Sequence, residues 1–306
     1  MTVLAVDIGG TKLAAALVDA DGALRRTARV PTGPEPWRDL VQLLDAVRGD
    51  EELLGVGVGA GGPMTWPEGF VTPPNTPGWR GGFALGDALR ARYPGLPVHI
   101  HNDVVALVVG EHWRGAGQGV DDLLGMVVST GVGGGIISRG RVVDGRTGNA
   151  GHVGHAVVEP DGPRCGCGGR GCLEAVARGP ATVAWARERG STAADGRELS
   201  ALAAQGEPVA LAALARAGRA LGIGIASATA VLDVELVLLG GGLSQAGEPL
   251  WGPLRSAVAE HARLPVLRGL RVEPTALGQD SGLVGAAALV HRADRYWSPP
   301  PHPAQR

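Results

Sequence analysis

One unit of sequence occurs twice in this 306-residue chain. Val3 to Thr11 reads as a buried apolar strand, a small or acidic residue, a glycine-rich turn and the start of a second strand. Leu123 to Ser129, the turn Thr130-Gly-Val-Gly-Gly-Gly135 and the hairpin Ile136 to Val143 repeat it. A repeat at half-chain spacing predicts two domains of similar topology, facing one another so that their glycine turns meet across a cleft. The chain is long enough to give each a buried core.

Around these units the pattern is α/β. Strands over 2–6, 13–18 and 23–30 are joined by short turns and form an antiparallel meander. A helix over 37–48, an apolar strand over 54–60, a strand over 98–101 and a helix over 104–113 follow as βα alternation. After the second unit come helices over 181–189 and 208–230, a buried strand over 236–239, a helix over 249–262, a strand near 270–272 and a helix over 281–290. The expected division is residues 1–102 and 103–280, with a C-terminal helix over 281–296 packing back on the first domain. The Pro-rich segment 297–306 is expected to be a disordered tail.

The hydrophobic fraction of 44% is that of an ordinary globular protein, and a net charge of −2 offers no basic field to nucleic acid. The first apolar run stops at Asp7, too early for a signal peptide or a membrane span, so a cytoplasmic protein is expected, with small molecules or its own copies as partners. Lys12 is the only lysine; with arginine abundant, that rarity is compositional.

All three cysteines, Cys165, Cys167 and Cys172, fall within eight residues, separated from His155 by nine residues. Three thiolates and an imidazole suit the closed tetrahedral coordination of structural zinc, and the glycines between them let the backbone turn every sulfur inward. The competing reading is a set of unrelated free or bridged thiols; the odd count and the closeness of Cys165 to Cys167 argue against it. Four protein ligands leave no open position for a reacting water, so the metal is expected to stiffen a loop that projects neighbours such as His152 and Glu174.

Three glycine turns, at Gly9-Gly10, Gly131 to Gly135 and Gly240 to Gly242, each follow a buried strand, where α/β proteins place ligands. In the first, the backbone can approach phosphate while Thr11 and Lys12 offer donors and Asp7 orients hydrated magnesium. None matches a P-loop or the usual dinucleotide fingerprint. Asp103, after a strand and at a helix start, suits a general base with the Asn102 amide beside it on a polyol oxygen; the competing reading is a helix N-cap. His101 and His112 read as ordinary surface or helix residues.

Taken in order, Asp7 to Lys12, Asn75-Thr-Pro-Gly-Trp79, Asn102-Asp103, the stretch from Val128 to His155, the cysteine cluster through Glu174 and Gly240 to Leu243 resemble the ROK family of bacterial sugar kinases, over almost the whole length. The resemblance implies a two-domain actin-like ATPase (ribonuclease H-like) fold, with mixed sheets flanked by helices and a cleft that closes on substrates. It implies ATP-dependent phosphorylation of a hexose hydroxyl, usually that on carbon 6, with Asp103 as the base. Gly61, Asn75, Asn102, His152, His155 and Glu174 match sugar contacts. Asp7, Gly9, Gly10, Thr11, Lys12, Thr130, Gly131, Gly241 and Gly242 match phosphate and nucleotide contacts. ATP, Mg²⁺ and structural Zn²⁺ on His155, Cys165, Cys167 and Cys172 are the implied cofactors, and a homodimer or homotetramer the implied assembly.

One position departs from the family pattern: where members acting on glucose carry Glu, in Glu-x-Gly-His, this chain has His152-Val-Gly-His155. A carboxylate accepts from two adjacent hydroxyls, whereas neutral imidazole accepts one bond and donates one. An amino, N-acetylated or uncommon hexose is therefore the alternative substrate, unless a water fills the gap and the replacement is neutral. A non-catalytic sugar sensor or regulator of the same family is the rival of another class. Regulators carry a helix-turn-helix before the first loop, for which a loop at residue 7 is expected to leave no room.

Overall fold

Strand β1 (Thr2–Ile8) is buried along its length, as a strand covered on both faces must be. The computed structural model describes residues 1–298 and places β1 at the centre of a five-stranded sheet. On one side β1 pairs antiparallel with β2 (Lys12–Val18), which pairs antiparallel with β3 (Leu24–Pro31). Helix α1 (Pro36–Arg48) turns Leu40, Leu43, Leu44 and Val47, at helical spacing, into the core with Leu4 and Val6. On its other side β1 is parallel to β4 (Leu53–Ala60). Between β4 and the sheet's last strand lie β5 (Met64–Thr65), β6 (Phe70–Val71) and β7 (Phe83–Ala84), a small antiparallel sheet, and α2 (Leu85–Arg92). Parallel to β4 runs β8 (Val98–Asn102), completing the order β3-β2-β1-β4-β8.

Helix α3 (Asp103–Arg114) leads to the second unit of the repeat, β9 (Leu123–Val128), β10 (Val132–Ser138) and β11 (Arg141–Val142). Helices α4 (Leu173–Ala177), α5 (Gly179–Arg187), α6 (Gly196–Ala204) and α7 (Pro208–Leu232) precede β12 (Leu236–Gly240). Then come α8 (Glu248–His261), β13 (Arg271–Pro274), α9 (Ser281–His291) and α10 (Ala293–Tyr296). The second sheet has the order β11-β10-β9-β12-β13, with β12 parallel to both neighbours. Strand for strand it reproduces the first, so the repeat seen in the sequence is a repeat of topology.

The chain forms two compact units, residues 1–121 with 135–150 and 276 onward, and residues 122–134 with 151–275. The boundary expected at 102/103 therefore moves, because α3 buries Val105, Ala106, Val108 and Val109 within the first unit. It crosses α9 so closely that a Cβ on Gly285 would stand 1.6 Å from the Ala106 carbonyl oxygen. The C-terminal segment belongs to this unit as two helices, α9 and α10. Trp297, expected to begin a disordered tail, stacks on His99 with ring centroids 4.6 Å apart. Positions 299–306 of that expected tail lie outside the described residues.

Helix α7 is long and apolar enough to cross a membrane, yet 61% of its most apolar window is buried in the second unit. Its small residues admit α8, a Cβ on Gly218 meeting the Leu250 carbonyl oxygen at 2.2 Å. It is the core helix of that unit.

Candidate active site

Three parallel strands of the first unit end together: Asp7 of β1 is in register with Gly59 of β4, and Gly59 with His101 of β8. Beyond these ends lie most of the polar residues expected there. Gly9 and Gly10 turn β1 into β2, the Gly9 N–H donating to the Lys12 carbonyl at 2.9 Å. Thr11 completes the turn and Lys12 opens β2, its ammonium near enough to stabilise the Asp7 carboxylate, as does Arg29 of β3. Burial acts the other way and is larger, so the Asp7 carboxyl lies above its ordinary range.

The segment carrying Asn75 lies directly on the first glycine turn. A Cβ on Gly10 would stand 2.6 Å from both the Asn75 Cβ and its carbonyl oxygen. Gly61 donates its N–H to the Ile8 carbonyl at 3.1 Å, and a Cβ there would be 3.9 Å from Asp103 Oδ2. Gly10 thus lies against Asn75, and Gly61 against Asp103.

The N-cap reading of Asp103 belongs to its neighbour. Asn102 is the N-cap of α3, accepting from the Val104 N–H at 3.0 Å, while Asp103 is the first helical residue and accepts from the same N–H at 2.8 Å. Asp103 is pushed up to about 6, first by burial and then by repulsion from Asp7, with the Val104 N–H opposing. It therefore titrates close to neutrality, where a proton acceptor is most effective. A carboxylate raised by the charge of a second one is an environment that a hydrated dication would relieve.

Three buried residues to which the sequence reading gave no part in the site, His101, His112 and Glu111, lie on the elements that carry this cluster. His101, read as a surface residue, is 1% exposed and bonded to Asp144. His112 is also buried, held between Tyr296 and the Val120 carbonyl. Glu111 of α3 is 0% exposed and accepts from the N–H groups of Ala116, Ala276 and Leu277 and from the Ser281 hydroxyl. By fastening the start of α9 to α3 it holds Gly282, whose Cβ would lie 3.1 Å from Asp7 Cγ. Only the negative charge of Glu111 directly after the apolar run from Val104 to Gly110 hinted at such a task.

The remaining predicted residues belong to the second unit. Thr130 and Gly131 form the turn between β9 and β10, gripped from both sides. Glu174, in the first turn of α4, accepts the Val132 N–H at 2.9 Å, and the Gly179 N–H, where α5 begins, donates to the Ser129 carbonyl at 2.8 Å. Gly241 and Gly242 follow β12; Gly241 takes φ +94° and passes so near β9 that a Cβ would meet the Val128 carbonyl oxygen at 2.4 Å. The second and third glycine turns are therefore adjacent.

His155 ends a short 3-10 turn, and its ring stacks on that of His152 with centroids 6.2 Å apart. The ligand atoms of His155, Cys165, Cys167 and Cys172 lie within 4.8 Å of one another. Cys167 and Cys172 Sγ are 3.8 Å apart, and Cys165 Sγ is 3.8 Å from His155 Nδ1. Tetrahedral zinc with bonds of about 2.3 Å to sulfur needs sulfurs about 3.8 Å apart. The four residues fit a closed structural zinc site, and the residue after Cys172 opens α4, which carries Glu174.

The ROK family model matches residues 3–293. The glucokinase of Thermotoga maritima is 36% identical, covering 95% of this chain and 97% of that one. The N-acetylmannosamine kinase of Shigella flexneri is 35% identical, over 94% and 98% of the two chains. Among solved structures, a ROK family glucokinase from Streptomyces griseus in complex with glucose and AMPPNP superposes with a TM-score of 0.83 at 35% identity, covering 95% of this chain and all of that one.

Proposed function

This chain belongs to the ROK family, and from that premise we propose that it transfers the terminal phosphoryl group of ATP to a hexose hydroxyl, that on carbon 6 by preference, with Asp103 as the general base. The observation that carries this reading is the pair Asp7 and Asp103 at the ends of parallel strands, with Asp103 raised to about 6. Asn102 and Asn75 would hold the sugar, with His152, His155 and Glu174 as further contacts to its hydroxyls. Gly9, Gly10, Thr11, Lys12, Thr130, Gly131, Gly241 and Gly242 present backbone N–H groups, a hydroxyl and an ammonium to phosphate and nucleotide. Phosphoryl transfer asks chiefly for in-line positioning and charge neutralisation, which such donors provide.

Asp7 would hold hydrated Mg²⁺, which supplies positive charge to the phosphates. Asp103 takes the proton of the attacking hydroxyl, and its raised pKa keeps it a competent acceptor at neutral pH. Zinc on His155 and the three cysteines would stiffen the loop before α4. Free thiols in such a site accord with a reducing cytoplasm, and a dimer or tetramer is the assembly that family membership suggests.

Relatives near 35% identity act on two sugars, glucose and N-acetylmannosamine, so an N-acetylated or amino hexose is the second reading of the substrate, favoured by His152. A sensor without turnover is not favoured, because Asp7, Lys12 and Asp103 are all retained. The test is ADP release from MgATP across a panel of hexoses, amino sugars and N-acetylated sugars. Sugar-dependent turnover abolished in Asp103→Asn is the expected result; sugar binding without turnover in the wild type refutes the kinase.

A further inference from the structure

His101 stands immediately before Asn102 and Asp103, and its ring makes two hydrogen bonds that determine its tautomer. Nδ1 lies 2.8 Å from the backbone nitrogen of Asn102, which can only donate, so Nδ1 is the unprotonated, accepting nitrogen. The ring proton is then on Nε2, which donates to Asp144 Oδ1 at 2.9 Å. The imidazole is 1% exposed and the Asp144 side chain 16%. A carboxylate, an imidazole and a backbone amide form one line that ends at the peptide preceding the proposed base.

The far end of that line is anchored. The Ala150 N–H donates to the Asp144 carbonyl at 3.1 Å, closing the loop after β11. In the same loop the Asn149 amide donates to the Met64 carbonyl at 3.0 Å and accepts the Met64 N–H at 3.4 Å. Trp66 packs its ring 5.6 Å from that of His101, fixing the imidazole plane. At the near end Asn102 is held at two points, its N–H by His101 and its side-chain oxygen by the Val104 N–H.

We propose that Asp144 and His101 are positioning residues, which set the orientation of the Asn102 peptide and thereby aim the Asp103 carboxylate. This rests on the reading of Asp103 as the general base. A carboxylate accepting from Nε2–H enforces the tautomer in which Nδ1 accepts, the device by which outer carboxylates orient histidines elsewhere. With the other tautomer, Nδ1–H and the Asn102 N–H would oppose one another, and the peptide would turn.

The experiment uses the full chain and three variants, Asp144→Ala, Asp144→Asn and His101→Phe. Nitrogen NMR of the wild type should show His101 protonated at Nε2 alone. In Asp144→Ala that signature should be lost, amide exchange at Asn102 and Val104 should accelerate by about tenfold or more, and kcat should fall by about ten- to a hundredfold with both KM values within about twofold. Asp144→Asn keeps a carbonyl acceptor and should recover most of kcat, and His101→Phe stands in for the alanine variant if that one fails to fold. His101→Phe, which fills the space without either bond, should resemble Asp144→Ala.

Unchanged exchange and tautomer in Asp144→Ala, an unaltered kcat, or a loss confined to KM each overturn the proposal. If the wild type shows no sugar-dependent ADP release, the base assignment falls. The tautomer and exchange measurements then decide the positional claim by themselves, loss of both supporting it and retention refuting it.

Discussion

Glu174 Oε2 accepts the Val132 N–H at 2.9 Å, and a Cβ on Gly131 would stand 2.8 Å from that same oxygen. The helix that opens after the last cysteine thus holds the second glycine turn by a charged hydrogen bond, and a side chain at residue 131 would crowd the accepting oxygen.

Removing that carboxylate should loosen the turn. A charged acceptor on a backbone N–H contributes about 1.5–3 kcal/mol, reduced here because the site is partly open to water. Glu174→Ala is expected to lower stability in urea by about 1 kcal/mol, speed amide exchange at Val132 and raise the KM for ATP. Glu174→Gln, which keeps a carbonyl acceptor, should retain most of the stability. Unchanged exchange at Val132 in the alanine variant would contradict the latch.

Metal should govern the same region from its other end, since Cys172 is directly followed by α4. Elemental analysis is expected to find about one zinc per chain, and Cys167→Ser to lower it sharply. Loss of metal should reduce the melting temperature, because three thiols and an imidazole within 4.8 Å lose the ion that orders their loop. Equal zinc content in wild type and Cys167→Ser would dismiss these ligands.

Much of this was legible in the sequence because parallel strands buried on both faces leave continuous apolar runs, as in β1, β4 and β12. Glycine turns after those runs marked the loops proposed to face phosphate. The strands β5, β6 and β7 left no signal, since two residues each cannot show a period. His101 and Glu111 were missed for another reason. The partner of His101 is 43 residues away and those of Glu111 include residues 165 to 170 positions later, so their burial is decided by topology and not by neighbours in the chain. The boundary at 102/103 failed likewise, because glycines on α9 let α3 pack into the first unit.

Gly10 tests how tightly the Asn75 segment must close on the first turn. The Cβ of Gly10→Ala would overlap Asn75 backbone and Cβ at 2.6 Å, and backbone cannot swing aside as a side-chain end can. Overpacking of this kind costs about 1–3 kcal/mol. The expected outcome is a lower melting temperature with a larger loss of kcat/KM for the sugar than for ATP, read by thermal denaturation and steady-state kinetics. Wild-type stability and kinetics would show that the segment yields freely.

Asp103 should leave its mark on both activity and stability as pH changes. As the base it must be ionised, so kcat/KM is expected to fall below about pH 6 with a single proton taken up. Asp7→Asn removes the neighbouring negative charge and should move that limb to lower pH. For stability the sign is opposite to that of an ordinary carboxylate. The folded-state pKa, about 6, exceeds the unfolded value of 3.8, so the folded state binds the proton more tightly. The stabilising contribution of protonated Asp103 is complete below the unfolded value and is lost as pH rises through the folded one. Asp103→Asn, neutral at every pH, should therefore melt higher than the wild type at pH 8 and no higher near pH 4. Equal differences at both pH values would mean that Asp103 is not raised in the folded chain.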